Sequence, residues 1–425
     1  MDGSPVIARV MLVLGLGLAA NAANAANAAG PGAQRQLDVS PAGPYRTITS
    51  AVREARTGDR VVVHAGLYRE PQIVIDKPLV LEGDAWPVLD GESRHGLILV
   101  TADDVTVRGL VLRNVGTSFV EDRAAVRVTS ARGCTIDHNR VENGFFAIYL
   151  ANTTDCRVTD NVIHATGQRE TESGNGIHLW TSRRITIARN QISGQRDGIY
   201  FEFVHDSDIE QNVSTGNLRY GLHFMYSDDC RYVENTFRQN GSGVAVMFTK
   251  RVQMIGNRFE DNWGPASYGL LLKEIMDSRL EGNRFLHNTT GLLADGANRL
   301  VAEHNDFANN GWAIKLEAST IDGRFEKNNF RGNSFDVSTN SREPSTTFDG
   351  NYWDSYHGYD LDRNGVGDVP HRPVRLFSIL VEHFQPALIL MHSAFVELLD
   401  GAERILPSLT PETLVDPTPA MRPVT

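Results

Sequence analysis

Short apolar runs separated by polar corners cover most of this chain. Cys230-Arg-Tyr-Val-Glu-Asn235-Thr-Phe237 shows the unit: an alternating run, an asparagine, and an apolar residue two places on. A polar corner follows at Arg238–Gly243, then a second run at Val244–Phe248. Runs of about four to five residues suit strands and are too short for helices. The unit recurs. Asparagine returns at Asn114, Asn139, Asn161, Asn190, Asn212, Asn235, Asn257, Asn283, Asn305, Asn328 and Asn351, and from Asn139 onward the steps are 22, 29, 22, 23, 22, 26, 22, 23 and 23 residues. Gly176, Gly198, Gly221, Gly243, Gly269 and Gly291 keep phase with it, and both series lengthen by 4 residues over the same stretch. Each repeat is therefore one supersecondary unit that buries its apolar face only against its neighbours.

Two or three short strands per repeat, with Asn and Gly at the corners, predict an all-β fold: a right-handed parallel β-helix with coils of about 22 residues. A leucine-rich solenoid would need L-x-x-L-x-L-x-x-N and a helical segment in each repeat, and neither is present. The repeat glycines are expected to supply left-handed backbone and the asparagines to tolerate it, with Asn side chains bonding from coil to coil. These residues are assigned structure and no chemistry.

An open stack of strands needs capped ends. Tyr45–Arg56 places Ile48, Ala51, Val52 and Ala55 at helical spacing before Gly58, which predicts an N-terminal cap helix. The solenoid with this cap is expected over 40–359. Asp360, Asp362, Asn364 and Asp368 in the loop 360–371 resemble half of a calcium loop, but His371 stands where a bidentate Glu belongs. A tight Asp/Asn/Gly turn is the competing reading. Residues 372–406 read as two apolar helices, one through Leu376, Phe377, Leu380 and Phe384, the other from Ala387 through Met391 and Phe395 to Leu399, interrupted at Pro386. They serve either as a cap on the last coil or as a docking surface for a partner. The Pro-rich tail 407–425 is expected to be an extended arm.

Composition narrows the class. A net charge of -11 argues against a nucleic-acid backbone as partner. Residues 1–29 run from Arg9 through an apolar core to three Ala-Asn-Ala units, the pattern of a cleavable signal peptide. The mature chain is thus expected to be periplasmic. Cys134, Cys156 and Cys230 each lie five residues before a repeat Asn, in a phase filled elsewhere by Ile185, Val252 and Leu300, so core packing is expected over a disulfide or thiolate metal site.

Chemistry concentrates on one strand position. If the residue after the repeat glycine points inward, the outward ladder has a first column of Tyr149, His178, Tyr200, His223, Ala245 and Leu271. Its second column is Ala151, Trp180, Glu202, Met225, Met247 and Lys273. Thioether and imidazole donors suit a soft cation, Cu(I) above all, with His223, Met225 and Met247 at the centre and His178 and Glu202 beside them. The alternative is an aromatic and Met patch, including Trp180 and Tyr200, that binds protein or sugar without metal. Cleavage or epimerisation of an acidic polysaccharide would need a base and cationic clamps. The ladder lacks clustered Arg or Lys, and no Walker A, nucleophile-elbow or H-E-x-x-H pattern occurs, so no enzyme is expected.

The strings GLHFMYSDDC (221–230), GVAVMFTKRVQMIGNRFEDNWGPASYGLLLKE (243–274), GNYWDSYHGYDLDRNGVGD (350–368), RPVRLFSILVE (372–382) and LTPETLVDPTPAMRP (409–423) resemble the NosD family. The resemblance spans about residues 40 to 423. It implies a non-enzymatic periplasmic maturation factor working with an ABC transporter of permease and separate ATPase. With a lipoprotein copper chaperone, that system supplies Cu(I) to apo nitrous-oxide reductase for its tetranuclear copper–sulfide site. The apolar segment and tail would then contact the permease. Sulfur rather than copper delivery is a variant of the same reading. No ligand residue is carried over from the family.

Overall fold

Most coils fold as three short strands because their apolar residues alternate over only two to six positions before a corner interrupts them; Ser242–Lys250, Tyr268–Met276 and Thr290–Asn298 run to nine residues. Ile209, Ser214 and Leu222 sit mid-strand in 208–210, 213–215 and 220–225 and point inward. The next coil repeats the pattern, with Asp208 paired to Arg231 in parallel. The computed structural model describes residues 35–118, 120–341, 345–391, 393–405 and 414–425, so the expected leader lies outside the described residues. Among the described residues of Gln36–Thr425, this stacking gives three parallel sheets of 14, 12 and 13 strands, a parallel β-helix.

Like side chains stack in the interior. Phe237, Phe259, Phe285, Phe307, Phe330 and Trp353 follow one another with ring centroids 5.8, 4.8, 4.6, 5.1 and 4.0 Å apart. Burying each such ring is worth about 1.5–3 kcal/mol relative to exposure. All three cysteines are buried and unbridged in this core.

The asparagine ladder forms, with two differences from expectation. Each member donates its backbone N–H and Nδ2 to the Oδ1 of the next, as Asn235 does to Asn257 at 3.0 Å for both. The left-handed residue, however, is the one before each Asn: Asp160, Arg189, Gln211, Glu234, His304 and Lys327 all have φ between 53° and 56°. That residue turns on the surface so that the asparagine can point in. The repeat glycines do not take positive φ; they are needed for close approach. A Cβ on Gly221 would lie 2.8 Å from Asn240 Nδ2 and 2.9 Å from the Gly243 carbonyl oxygen. Asn114 falls outside the ladder. Arg140 pairs with Val111, so Leu110 stands opposite Asn139 and donates its N–H to it. A second ladder, unnoticed in the sequence, runs five residues later through Asn217, Asn240, Asn262, Asn288, Asn310 and Asn333.

The N-terminal cap is α1 (Ile48–Glu54), capped by Thr47 and resting on Ile48, Ala51 and Val52. The Glu70 carboxylate accepts from the N–H groups of Ile48 and Thr49 at 2.7 and 2.9 Å, a favourable place for negative charge.

At the other end, α2 (Leu376–His383) leads through a 3-10 turn, Gln385–Leu390, to α3 (Ala394–Ile405). The second helix thus begins later than expected, because Pro386 starts a tighter turn. The tail is no free arm: where described, it folds back onto the last coil. Leu414 joins the core at 3% exposure, and Asp416 is fully buried. Asp416 Oδ2 accepts from Asn351 N, Asn351 Nδ2 and Trp353 Nε1, each at 3.0 Å, and so stands where the next ladder asparagine would. His371 and Asp416 exchange both backbone hydrogen bonds at 2.9 Å. The helical segment is therefore an excursion fixed at both feet.

Candidate metal-contact face

The register of the 12-stranded sheet reproduces both ladder columns. Tyr149, His178, Tyr200, His223, Ala245 and Leu271 pair in succession, as do Ala151, Trp180, Glu202, Met225, Met247 and Lys273. Their neighbours Ile177, Leu179, Leu222, Phe224 and Val246 belong to the core cluster, so both columns lie on the outer face. Met225 and Met247 are half-buried neighbours on adjacent rungs.

The first column is a continuous ring stack. Tyr149 meets His178 edge-on at 4.5 Å, His178 lies over Tyr200 at 4.7 Å, and Tyr200 meets His223 edge-on at 5.2 Å. Tyr220 closes on His223 at 4.8 Å. Burial raises the phenols of Tyr149 and Tyr200 to about 12 and depresses His178 to about 3 and His223 to about 4. The rings are neutral at neutral pH.

Their lone pairs are partly engaged. Arg196 Nη2 donates to Asn175 Oδ1 at 3.1 Å, which turns the amide so that Nδ2 donates to His178 Nδ1 at 2.9 Å. Arg219 binds the fully buried Asp197 and also donates to His223 Nδ1 at 3.3 Å. With Nδ1 accepting, Nε2 carries the hydrogen in each ring. The Nε2 of His223 is enclosed without a hydrogen-bond partner. The lone pair of His223 thus becomes available only if the ring turns away from Arg219. Tyr200 Oη donates to Glu202 Oε2 at 3.3 Å. The soft donors of the constellation that stay half-open to solvent are the thioethers.

Sequence reasoning missed two parts of this face. Asn175 and Asp197 precede repeat glycines in phase, a signal that was legible. Beside the second column, Phe203, Tyr226 and Phe248 stack at 5.2 and 5.2 Å with φ of 57°, 51° and 55°. Bulky side chains rarely adopt this conformation, yet all three stay about two-fifths exposed, at 42%, 42% and 39%. Trp180 is exposed nearby at 40%.

The C-terminal excursion lies on the same outer face, lower down. Phe377 packs on Phe335 at 5.9 Å and Lys315 pairs with Glu382 at 3.7 Å. Phe377 is therefore cap core and not free docking surface, and Leu376 and Met391 are half-buried. Leu380, Phe384 and Phe395 do face solvent, at 37%, 58% and 47%, with Ile389 at 88% and Leu398 at 74%. No described helix is long and apolar enough to cross a membrane.

The loop 360–368 ties its acids to itself. Asp360 accepts from Asn364 N and Gly365 N at 3.1 and 2.9 Å, and Asp368 from Leu361 N at 2.7 Å. This is the geometry of an Asx-type turn. Among the described residues, Asp137, His138 and Asp160 also cluster closely enough to hold an ion. Asp160, though, is bound by Arg189 at 2.8 and 2.6 Å, and oxygen donors do not select a soft cation. Burial pushes the Cys230 thiol up to about 12, so it is no thiolate carrier for sulfur.

Three desolvated histidines set a pH dependence. His178, His223 and His371 are held near 3, 4 and 3 by burial, against 6.5 when exposed. Between those values the unfolded chain binds protons that the folded chain refuses, so their stabilisation is full above pH 6.5 and falls on acidification. Asp336, raised to about 6 by burial, acts oppositely and loses its contribution as pH rises through 6. Denaturation midpoints should fall from pH 6.5 towards 4, and His178→Gln should flatten that slope by about one proton.

Comparison with known proteins agrees with this architecture. A curated Pseudomonas aeruginosa protein named "Probable ABC transporter binding protein NosD" is 34% identical over 370 residues, covering 82% of this chain and 85% of the relative. The chain belongs to the NosD family. The family profile, described as "Periplasmic copper-binding protein (NosD)", matches residues 163–358. A NosD relative from Stutzerimonas stutzeri, named in the same way, is 28% identical over 398 residues, covering 89% of this chain and 90% of its own length. Among solved structures, the A-module of the Azotobacter vinelandii mannuronan C-5 epimerase AlgE6 aligns with a TM-score of 0.59 at 16% identity, covering 71% of this chain and 92% of that module. The Dettilon tailspike protein aligns at 0.57 and 15%, covering 72% and 69%. At such identities these two are similar to this chain in fold alone.

Proposed function

We propose that this chain is the periplasmic subunit of an ABC-transporter complex that hands Cu(I), as cargo, to apo nitrous-oxide reductase for its tetranuclear copper–sulfide site. Copper arrives from a lipoprotein chaperone, and ATP is used by the transporter's separate ATPase subunit; this chain performs no catalysis. The observation that carries the reading is the Met225–Met247 pair on adjacent rungs of the outer face. Thioethers bind Cu(I) and release it to a better site without a proton-transfer step. His223 completes a three-donor set when its ring leaves Arg219, which makes capture reversible. Glu202 and His178 flank the set. The descriptions of the family and of its relatives as copper-binding and transporter-binding proteins support the same reading.

Competition with a chromogenic Cu(I) chelator tests it. Met225→Ala with Met247→Ala should weaken Cu(I) binding by about a hundredfold, at least the loss that disturbing a metal's surroundings typically causes. Unchanged affinity, measured both for the chain alone and with its membrane partner, would remove copper from this face. Sulfur delivery would need an accessible thiol, and Cys134, Cys156 and Cys230 are all buried. Exposed Leu380, Phe384 and Phe395 are the proposed contacts to the permease, and Trp180 and Tyr200 with the neighbouring Phe203 ridge are proposed to meet the copper-exchanging protein.

A further inference from the structure

A polar trough lies apart from the methionine pair, at the corner where the coils of Asn143 and Thr166 turn towards the 12-stranded sheet. Its main hollow is about 530 Å³ and is lined by Thr117, Asn143, Thr166, Gln168 and Ser173 over a floor that includes Phe145. Through Asn143 and Thr166 it continues into a second hollow of about 200 Å³ beside Arg140, Glu142 and His164. Its outer wall is the loop that stretches the Asn161-to-Asn190 step to 29 residues. This loop is seated closely: a Cβ on Gly174 would come within 2.1 Å of the Phe145 carbonyl oxygen.

Three features define what the trough takes. Ser173 is only 3% exposed, yet its hydroxyl has no hydrogen-bond partner. The oxygen itself is sealed, and a turn of the Ser173 side chain towards the hollow it lines would bring that unpaired hydroxyl to a ligand hydroxyl. The lining is hydroxyl and amide, which suits many small hydrogen bonds rather than an apolar ligand. Each cation has a partner nearby: Arg169 stands 3.8 Å from Glu172 in an exposed pair and Arg140 covers the Trp86 ring at 4.1 Å. Glu142 and Glu172 balance the two arginines, so the lining offers a phosphate or uronate no net positive charge. Two hollows that share Asn143 and Thr166 offer room for more than one sugar ring.

We infer that this trough binds a neutral oligosaccharide strand, tethering the chain to glycan without cleaving it. The inference stands apart from copper handling. Calorimetric titration of the full folded chain with chitotriose and maltotriose, against trimannuronate as the acidic control, tests it. Saturable binding of a neutral trisaccharide is expected, weakened at least about tenfold in Ser173→Ala, with Cu(I) binding unchanged. Gln168→Ala, on the exposed rim, should weaken it too and keeps the test open if the buried change disturbs folding. Absence of saturable binding by either neutral trisaccharide overturns the inference. So does preference for trimannuronate, or equal binding by wild type and both variants.

Discussion

Asp416→Ala is expected to loosen the C-terminal end of the solenoid by about 3–6 kcal/mol, because buried donors left without an acceptor cost about 1–3 kcal/mol each. Three of them converge on one oxygen: the N–H and Nδ2 of Asn351 and the indole N–H of Trp353. Gly350 N–H, at 3.2 Å from Oδ1, also reaches Thr418 Oγ1 at 3.1 Å and so keeps an acceptor. Asp416→Asn should be far milder, since every other rung of the ladder uses an asparagine Oδ1 in that place. Because each coil contacts only its neighbours, the loss should be local. Amide exchange should quicken around Asn328–Trp353 and stay slow near Asn212. Wild-type exchange throughout in Asp416→Ala would show that the tail is not the cap.

Excising the helical excursion, by joining Val374 to Leu414 through a short Gly/Ser linker, should abolish association with the membrane transporter and leave the β-helix folded. Both joining points are core residues at 3% exposure, so the feet remain where they are. What is removed carries the solvent-facing Leu380, Phe384, Ile389, Phe395 and Leu398. A chain ending at residue 372 is a poorer test, since it also removes Asp416. Co-purification assays would read the first effect and circular dichroism the second. Retained association by the excised chain would move the contact elsewhere on the molecule.

The solenoid was legible because its cause is periodic: one asparagine per coil forced a common phase, and the alternation between them set which residues face in. From that alone the pairing of Met225 with Met247 and of His178 with Tyr200 followed. Other features were misread for physical reasons. The left-handed corner belongs to the residue before each Asn, since the amide is used inside the stack. Asn114 keeps an approximate spacing but stands opposite Asn143, not Asn139. Phe377 looked like docking surface because composition does not say which apolar residues the last coil covers.

The sequence by itself determined the coil length, the register of the ladder columns and the face on which His223, Met225 and Met247 lie, because a parallel repeat leaves no freedom in what stacks on what. Only the tertiary structure decided that Arg219 and Asn175 occupy the imidazole nitrogens, that 414–425 returns to close the last rung, and that the inserted loop encloses a polar trough. Those contacts join residues whose separation follows no period, such as Asn351 and Asp416, and depend on how side chains fill the space the repeat leaves open.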